Sequence, residues 1–331
     1  MSLLVDAARG KRGVRPPVWF MRQAGRSLPE YREIRAKTPM LEACLIPELA
    51  AEITLQPVRR HGVDAAVFFS DIVVPMKIAG IDVDIKPGVG PVFNTALRTR
   101  ADIDNVLTHR LEDSPEIREA VSLCVANAGV PVIGFGGGPF TLAAYMVEGK
   151  PSRDHLAARG LMHTDPEYWH KLMTWAADTT RRFIEIQVEA GASVAQLFDS
   201  WAGSLSRADY ERYVLPYSRA AVEGLPVPVI HFGTGTGHIL DLMGTVGDVV
   251  GVDYRITLAS AAAQLPGKPL QGNIDPAYLT APWETLRAHV DDVLESGKAA
   301  PSHIVNLGHG VPPTTDPGVL TRIVDYIKEQ A

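Results

Sequence analysis

The length, composition and charge of the chain describe an ordinary globular protein and exclude several classes. Its 331 residues are 46% hydrophobic and 21% charged, as in typical globular domains, and no apolar run approaches the roughly 20 residues that span a bilayer. A net charge of −6 offers no general attraction to nucleic acid. Two cysteines are too few for a disulfide framework or a cysteine-rich metal site. Leu3-Leu4-Val5 is too short for a secretory signal, so we expect a cytoplasmic protein.

Eight short apolar runs alternate with segments of helical length along the chain. This alternation predicts parallel βαβ units, and the nearly continuous apolarity predicts strands that are buried on both faces. Because α/β barrels of this length form one domain, residues 1–331 are predicted to be a single (β/α)8 TIM-type barrel. The runs are Val18–Met21, Val63–Phe69, Val132–Phe135, Val194–Phe198, Val227–His231, Val249–Val252, Pro269–Gln271 and Ile304–Leu307.

One insertion interrupts this alternation between the second and third runs. Apolar residues alternate with charged ones from Ile81 to Lys86, and Pro87-Gly88 then turns the chain toward Val92-Phe93. A period of two around such a turn predicts a small β-hairpin, folded over one end of the barrel.

Capping residues mark the ends of the later helices. Each of these predicted helices begins at a Ser or Asp, two of them followed by proline, and two end at a glycine. A kink is predicted at Pro216. The signals are Asp165-Pro166 with Gly191, Ser206 and Asp209 with Gly224, and Asp316-Pro317.

Polar residues follow almost every predicted strand. In parallel barrels the functional residues come from the carboxyl ends of several strands. We therefore predict that these side chains converge on one cavity. The ends are, in chain order, Arg22, Ser70-Asp71, Gly136-Gly137-Gly138, Asp199-Ser200, His231, Asp253, Asn273 with Asp275, and His309.

Four guanidiniums are concentrated near one loop of this acidic chain. A guanidinium binds carboxylates bidentately, while Gln23 adds an uncharged donor and Ala24 and Gly25 let a ligand approach the backbone. The pattern predicts a site for an acidic small molecule; the alternative is a helix start whose arginines form surface ion pairs. The loop reads Arg22-Gln23-Ala24-Gly25-Arg26 and is followed by Arg32 and Arg35.

Neither glycine-rich stretch nor any histidine spacing indicates a cofactor or a catalytic metal. Gly134–Pro139 and Gly233–Gly237 match neither the dinucleotide fingerprint nor the P-loop, and both are predicted to be tight turns that let a bulky ligand approach. His231 would begin a ligand pair only if position 233 were cysteine. Cys44 and Cys124 lie in helical patterns and are expected to be core thiols.

Six stretches of the sequence match a known enzyme family. They are Trp19–Arg26, Leu28–Arg35, Phe69–Ile72, Gly134–Thr141 leading to Tyr145, Phe198–Gly203 and Asn306–Gly310. With these residues the chain resembles the uroporphyrinogen decarboxylase family over nearly its full length, and Arg22–Arg26 is the most specific stretch. Ser27 departs from the pattern, because the family often has an aromatic residue there.

The resemblance implies a fold and a reaction. The family is a cofactor-free (β/α)8 barrel, usually a homodimer whose active-site clefts face each other. It removes carbon dioxide from the four acetate side chains of uroporphyrinogen III, giving coproporphyrinogen III for haem biosynthesis. That substrate carries eight carboxylates, which explains an arginine cluster on an acidic chain.

The resemblance also assigns roles to single residues, with Asp71, Arg22 and Tyr145 as the catalytic ones. Asp71 is expected to face the four pyrrole N–H groups and to stabilise a protonated ring, the electron sink of the reaction. Arg22 is also a candidate proton donor, although a guanidinium is a poor acid. The expected substrate-binding residues are Arg22, Gln23, Ala24, Gly25, Arg26, Arg35, Asp71, Tyr145, Ser200 and His309.

Two other functions compete with this interpretation. A zinc-dependent methyltransferase of the same fold, acting on corrinoid or thiol substrates, needs a His-x-Cys pair and a later cysteine. Gly233 and the lack of any cysteine after Cys124 oppose it. A tetrapyrrole-binding protein without turnover would have a substituted Asp71 or Arg22, and the chain retains both.

Overall fold

The computed structural model describes residues 2–330, and α-helices surround a parallel sheet in this part of the chain. The strands are β1 (Ala66–Val67), β2 (Val83–Lys86), β3 (Gly90–Phe93), β4 (Val132–Gly137), β5 (Val194–Phe198), β6 (Val229–Phe232), β7 (Val249–Gly251), β8 (Leu270–Gln271) and β9 (His303–Ile304). The helices before β4 are α1 (Leu3–Ala8), α2 (Pro29–Arg35), α3 (Met40–Leu45), α4 (Pro47–His61), α5 (Val74–Ile78), α6 (Arg100–Thr108) and α7 (Pro115–Asn127). The later helices are α8 (Pro139–Glu148), α9 (Leu156–Thr164), α10 (Pro166–Glu189), α11 (Arg207–Tyr213), α12 (Leu215–Ala220), α13 (Leu240–Met243), α14 (Leu258–Gln264), α15 (Trp283–Gly297) and α16 (Pro317–Glu329).

The sheet is a curled array of seven parallel strands in the order β1-β4-β5-β6-β7-β8-β9. Seven of the eight predicted runs supply these strands, and β5 has the predicted bounds. Each inner strand pairs with both of its neighbours in this order, β1 and β9 pair with one strand each, and helices lie in the connections, as in βαβ units. This confirms the predicted α/β class.

The first predicted run, Val18–Met21, forms no extended strand. Val18 makes a single parallel bridge with Val305, and Asp64 N–H donates to the Val18 carbonyl at 2.8 Å. The run therefore lies between β9 and the residues before β1. Its ladder is short because the Asp64 carboxylate, instead of a backbone carbonyl, accepts the Val18 N–H at 2.8 Å.

A row of buried polar side chains crosses the interior of the curled sheet. Trp19 Nε1 donates to Gln271 Oε1 and Gln271 Nε2 donates to Gln196 Oε1, both at 3.1 Å. These residues come from the first run, β8 and β5, so their contact requires a strongly curved sheet. Among residues 2–330, no helix has the length and apolarity to cross a membrane.

The predicted helix starts and the end of α10 before Gly191 are confirmed, whereas α12 ends at Ala220 instead of near Gly224. Asp165 accepts the Tyr168 N–H and begins α10, and Asp316 accepts the Gly318 N–H and begins α16. The kink that was predicted at Pro216 is a complete break: Val214 has φ −129° and ψ −49° between α11 and α12. Proline at the second position of α12 can begin that helix but cannot continue α11.

The inserted hairpin is confirmed as β2 and β3. Its strands are antiparallel, with Val83 opposite Phe93. Phe93 N–H donates to the Gly149 carbonyl at 2.8 Å, just after α8. The hairpin is thereby attached to the end of a helix that begins at the carboxyl end of β4.

Candidate active site

A tight loop after the first run carries the arginine cluster. Arg22 has φ +60°, a left-handed conformation that is uncommon for a residue other than glycine. The buried Gln23 amide holds this loop: its oxygen accepts the Phe20 N–H and its nitrogen donates to the Ala65 carbonyl, both at 3.0 Å. Gln23 was expected to be a donor to substrate, but its side chain lies in the interior and bonds to backbone. Ala24 likewise packs against the core.

The arginines of this loop form no ion pair with any acidic side chain of residues 2–330. Arg22 and Arg26 are exposed and take part in no ion pair within residues 2–330. Arg32 donates to the Arg26 carbonyl at 2.9 Å, and Arg35 donates to the Thr38 carbonyl. Their positive charges are therefore available to a ligand, in contrast to the alternative of surface ion pairs.

Asp71 follows the second run and is partly buried. The Val73 N–H donates to its Oδ1 at 3.0 Å, while its Oδ2 has no hydrogen-bond partner in the described part of the chain. Burial raises the pKa of Asp71, and the Val73 N–H and the positive charge of Arg22 oppose that rise. A carboxylate with one unpaired oxygen thus lies within electrostatic reach of Arg22.

Tyr145 joins this pair from α8. Its pKa is raised to about 12, first by burial and second by the negative charge of Asp71, with Arg22 acting in the opposite direction. Its ring stacks on Trp201 with centroids 3.9 Å apart. The three residues that were predicted to be catalytic, Arg22, Asp71 and Tyr145, are therefore brought into one neighbourhood from three separate segments.

Ser200 and His309 lie on the neighbouring loops of the same edge. Ser200 is partly buried, and its carbonyl accepts the Thr234 hydroxyl at 2.8 Å. His309 is exposed and lies between two glycines that permit close approach: a Cβ at Gly310 would be 2.5 Å from Arg22 Cδ, and one at Gly308 would overlap the Tyr254 backbone. Loss of water around part of the imidazole and, second, the positive charge of Arg22 lower the pKa of His309.

The side chains of three other polar strand ends bond to the backbone of their own or neighbouring loops. Asp253 accepts the Gly235 N–H at 2.5 Å and pairs with Arg255, and Asn273 donates to the Asp253 carbonyl at 2.8 Å. Asp275 accepts the Ala277 N–H and begins a short 3-10 helix. These hydrogen bonds give each of the three side chains a role in holding its loop, and Asp253 also lies within electrostatic reach of His309.

The first glycine-rich stretch also differs from expectation. Gly134–Gly137 continues β4, so this part is a strand and not a turn. A Cβ at Gly136 would lie 2.9 Å from Thr180 Cγ2, and a Cβ at Gly138 would lie 2.6 Å from Asp199 Cγ. These glycines therefore allow protein groups, rather than a ligand, to pack closely.

No metal-binding group is present in residues 2–330, where no three His, Cys, Asp or Glu side chains cluster. His231 is fully buried, and its nearest acidic neighbour is Asp199, with Nε2 and Oδ2 3.6 Å apart. Cys44 and Cys124 are buried free thiols, and burial raises the pKa of both. The prediction of core thiols is confirmed.

Two residues behind Tyr145 were not assigned any role from the sequence. Trp201 was noted only as part of a matching stretch, and His155 was not noted. No local sequence signal marks His155, because its positive φ of +50° and its contact with Trp201 appear only in the structure.

Comparison with known proteins identifies the family. The model of the Uroporphyrinogen decarboxylase (URO-D) family matches residues 1–330. A relative named uroporphyrinogen decarboxylase from Arthrobacter sp. (strain FB24) is 60% identical over 98% of this chain and 96% of its own length. One of the same name from Salinispora tropica is 56% identical over 99% and 90%.

The solved structures agree on the fold. A methyltransferase from Methanosarcina mazei superposes with a TM-score of 0.78 over 99% of this chain and 97% of its own, at 17% identity. At that identity the likeness describes the fold alone, whereas the sequence matches extend over the loops that carry Arg22, Asp71 and His309. On that evidence the chain belongs to the uroporphyrinogen decarboxylase family.

Proposed function

We propose that this chain is a carboxy-lyase that converts the four acetate side chains of uroporphyrinogen III into methyl groups, giving coproporphyrinogen III and carbon dioxide. The observation that carries the proposal is that arginines without an ion-pair partner and the Asp71 carboxylate lie at the same edge of the sheet. Arg22 and Arg26 have no acidic partner in residues 2–330, and Arg22 lies within electrostatic reach of Asp71. A polyanionic substrate with a cationic reaction intermediate needs both kinds of charge.

The substrate supplies the electron sink for this reaction. Protonation of a pyrrole carbon makes the ring cationic, and the bond to the carboxylate can then break as its electrons move into the ring. The methylene carbon that remains takes up a proton to become the methyl group, and the ring carbon gives up the proton it had gained. Asp71 is proposed to accept hydrogen bonds from the pyrrole N–H groups and to stabilise that cation through its negative charge. Its partly buried position strengthens the interaction, because electrostatic interactions are stronger where water is excluded.

Arg22, Arg26 and Arg35 are proposed to bind the carboxylates and to orient the ring. Each guanidinium can hold a carboxylate through two parallel hydrogen bonds, which fixes direction as well as position. Arg22 is a poor proton donor for the ring carbon because guanidinium stays protonated in proteins. We therefore place it as an orienting group.

The remaining cleft residues supply neutral hydrogen bonds. With a pKa of about 12, the Tyr145 hydroxyl keeps its proton at neutral pH and can donate it to the reacting acetate. Ser200 is proposed to contact the same or a neighbouring acetate. His309, whose pKa is lowered, is neutral at pH 7 and is proposed to bind a propionate.

Several features of the whole protein belong to the same proposal. Residues 1–331 are proposed to be one domain in which the Val18 segment closes the sheet into a (β/α)8 barrel, since Val18 bonds to both neighbours. The enzyme is proposed to act without a cofactor or metal, because the substrate provides the electron sink.

It is proposed to work as a homodimer in the cytoplasm, with no nucleic-acid or membrane partner. Equilibrium sedimentation tests the dimer.

Anaerobic incubation with uroporphyrinogen III tests the function directly. After oxidation of the products, chromatography should show the eight-carboxylate porphyrin disappearing and a four-carboxylate porphyrin accumulating, without added cofactor and after treatment with a chelator. The Asp71→Asn protein serves as the matched control. A wild-type protein that binds the substrate without releasing carbon dioxide would contradict the proposal and favour the non-catalytic binding protein. Activity that needs added zinc would favour the methyltransferase class.

A further inference from the structure

Three rings form a continuous stack behind the cleft. Trp201 lies between Tyr145, at 3.9 Å between centroids and 29° between planes, and His155, at 4.2 Å and 36°. Tyr145 is partly buried on the cleft side, whereas His155 is 3% exposed. The stack therefore extends from the proposed active-site tyrosine into the protein interior.

The backbone of Trp201 is held on both sides. Its N–H donates to Thr141 Oγ1 at 3.3 Å, and Thr141 donates its own proton to the buried Asp199 carboxylate at 3.0 Å. Thr141 and Tyr145 are four residues apart on α8 and therefore lie on one face of that helix. One helix thus binds the Trp201 backbone with one side chain and its ring with another.

His155 contacts the ring of Trp201 directly and is also connected to the Trp201 backbone through Ser204. Ser204 Oγ donates to the Trp201 carbonyl at 2.8 Å and lies 3.1 Å from His155 Nδ1. Ser204 thus links the His155 ring to the backbone of Trp201. His155 adopts φ +50°, a conformation that costs free energy in a residue other than glycine. The residue that carries this strain is the one whose ring packs on Trp201.

We infer that Trp201, held between Tyr145 and His155, is a positioning residue that sets the direction of the Tyr145 hydroxyl toward the reacting acetate. The inference rests on the proposed function of the cleft. Without the stack the Tyr145 ring could tilt within its partly exposed site, and a misplacement of about 1 Å can cost up to about 100-fold in rate. His155 acts one step further away, by holding the opposite face of the Trp201 ring.

A double-mutant cycle on the full-length protein separates positioning from general support. Trp201→Leu removes the stack and Tyr145→Phe removes the hydroxyl that the stack is inferred to position. We expect Trp201→Leu to lower kcat about tenfold with KM within about twofold, and to lower it less than about twofold when Tyr145 is already Phe. Trp201→Phe, which keeps a stacked ring, should restore most of the lost rate.

Two controls make the cycle specific. Trp283→Leu removes another partly buried tryptophan that contacts a tyrosine, Tyr326, at 5.6 Å on the outer helices, and it should leave kcat unchanged. His155→Asn keeps a residue that tolerates positive φ and removes the ring. It should reproduce part of the Trp201→Leu effect, and it takes that variant's place in the cycle if Trp201→Leu does not fold.

The outcomes are distinct. An equal loss of kcat from Trp201→Leu in the wild-type and Tyr145→Phe backgrounds overturns the positioning role, since the loss then reaches the reaction through other residues such as the adjacent Ser200. A Tyr145→Phe protein with wild-type kcat overturns the proposed role of Tyr145 and the positioning role with it. A slow Tyr145→Phe protein together with equal losses leaves the proposed function intact and removes only this inference.

Discussion

The arginines of the cleft and those of the outer surface are the same residue type in two different electrostatic settings. Away from the cleft, Arg60 pairs with Glu30 at 2.7 Å on the surface, and the largely buried Arg15 pairs with Asp64 at 2.6 Å. In the cleft loop, Arg22 and Arg26 have no acidic partner within residues 2–330. Glu30 lies close to the cleft arginines in the sequence, yet it pairs with Arg60 of α4.

The difference shows that leaving these charges unpaired costs the fold little. An exposed ion pair contributes only about 0–1 kcal/mol, so an exposed arginine loses little stability when it lacks one. A carboxylate ligand, in contrast, gains a bidentate contact that no internal group competes for. The cleft arginines are thereby suited to binding and the outer ones to holding segments together.

The largest expected effect is the removal of the negative charge at Asp71. Asp71→Asn should lower kcat by about 100- to 1,000-fold, because an electrostatic contact to the transition state in a water-excluded site is typically worth ~3–4 kcal/mol. The melting temperature should stay the same or rise, since burial already disfavours the charged form of Asp71 and raises its pKa. Product analysis and thermal unfolding measure the two effects.

Asp84→Asn, on the exposed hairpin, is the control for that change and should alter neither quantity. Asp71→Glu should retain part of the activity if the charge matters more than the reach of the side chain. An Asp71→Asn protein with near-normal turnover would contradict the assignment of Asp71.

Replacing the cleft arginines by lysine tests the comparison itself. Arg22→Lys and Arg26→Lys keep the charge but lose the bidentate fork, and each should slow the reaction by about tenfold or more, the equivalent of ~1.4 kcal/mol. Because successive acetates must reach one site, porphyrins with seven, six or five carboxylates should accumulate. Chromatography of timed samples shows these intermediates.

Arg60→Lys is the matched control on the outer surface and should change neither the rate nor the product distribution. If Arg22→Lys behaves in the same way as Arg60→Lys, the cleft cluster has no special role in binding.

The opposite behaviour is expected at Arg15. Its guanidinium makes two hydrogen bonds to Asp64, at 2.6 and 2.7 Å, and both side chains are largely buried. Arg15→Ala should lower the free energy of unfolding by about 1–3 kcal/mol, since the Asp64 carboxylate loses its charged partner. The kcat of the folded protein should stay within about twofold. Denaturant unfolding gives the first quantity, and a large loss of kcat at unchanged stability would contradict this division of roles.

A smaller effect is expected from the pH dependence of stability at His61. This side chain is 2% exposed, its Nδ1 lies 2.7 Å from Thr321 Oγ1, and burial, reinforced by the charge of Arg60 and opposed by Glu30, lowers its pKa to about 4. The unfolded chain therefore binds a proton at His61 that the folded chain does not bind between pH 6.5 and 4. Folding stability must fall as the pH falls through that window.

His61→Asn removes this titration while keeping a polar atom near the Thr321 hydroxyl. The slope of the unfolding free energy against pH should decrease by up to about 1.4 kcal/mol per pH unit in that window. Unfolding curves at several pH values measure the slope, and an unchanged slope would show that His61 is already protonated in the folded state. Burial also lowers the pKa of His303 to about 4. Part of the pH dependence should therefore persist in the His61→Asn protein.

Local sequence patterns predicted the structure correctly where they concern the bounds of a single strand, helix or hairpin. β5 lies at Val194–Phe198 as the apolar run predicts, and Asp165 begins α10 as its N-cap. The hairpin at residues 83–93 follows from a period of two around Pro87-Gly88. The first run failed as a strand because its main partner is a side chain, Asp64, that lies 46 residues away and is not visible in any local pattern.

The candidate site divides in the same way. The types of residue that the cleft needs, and the excess of arginine near one loop, follow from the sequence. The sequence does not show which of these residues faces a ligand. Gln23 and Arg22 are neighbours, yet the Gln23 amide lies inside on the Phe20 and Ala65 backbone, while Arg22 is exposed beside Gly310.

By itself, the sequence determined the order of strands and helices, the helix starts and the charge of the loop at residues 22–35, because propensity, capping and charge act between near neighbours. Only the tertiary structure decided that Arg22, Asp71 and Tyr145 meet, and that Trp201 stacks between Tyr145 and His155. Those contacts join residues tens of positions apart. They depend on the curvature of the sheet and on which polar side chains are hydrogen-bonded to the backbone. No local pattern in the sequence determines either.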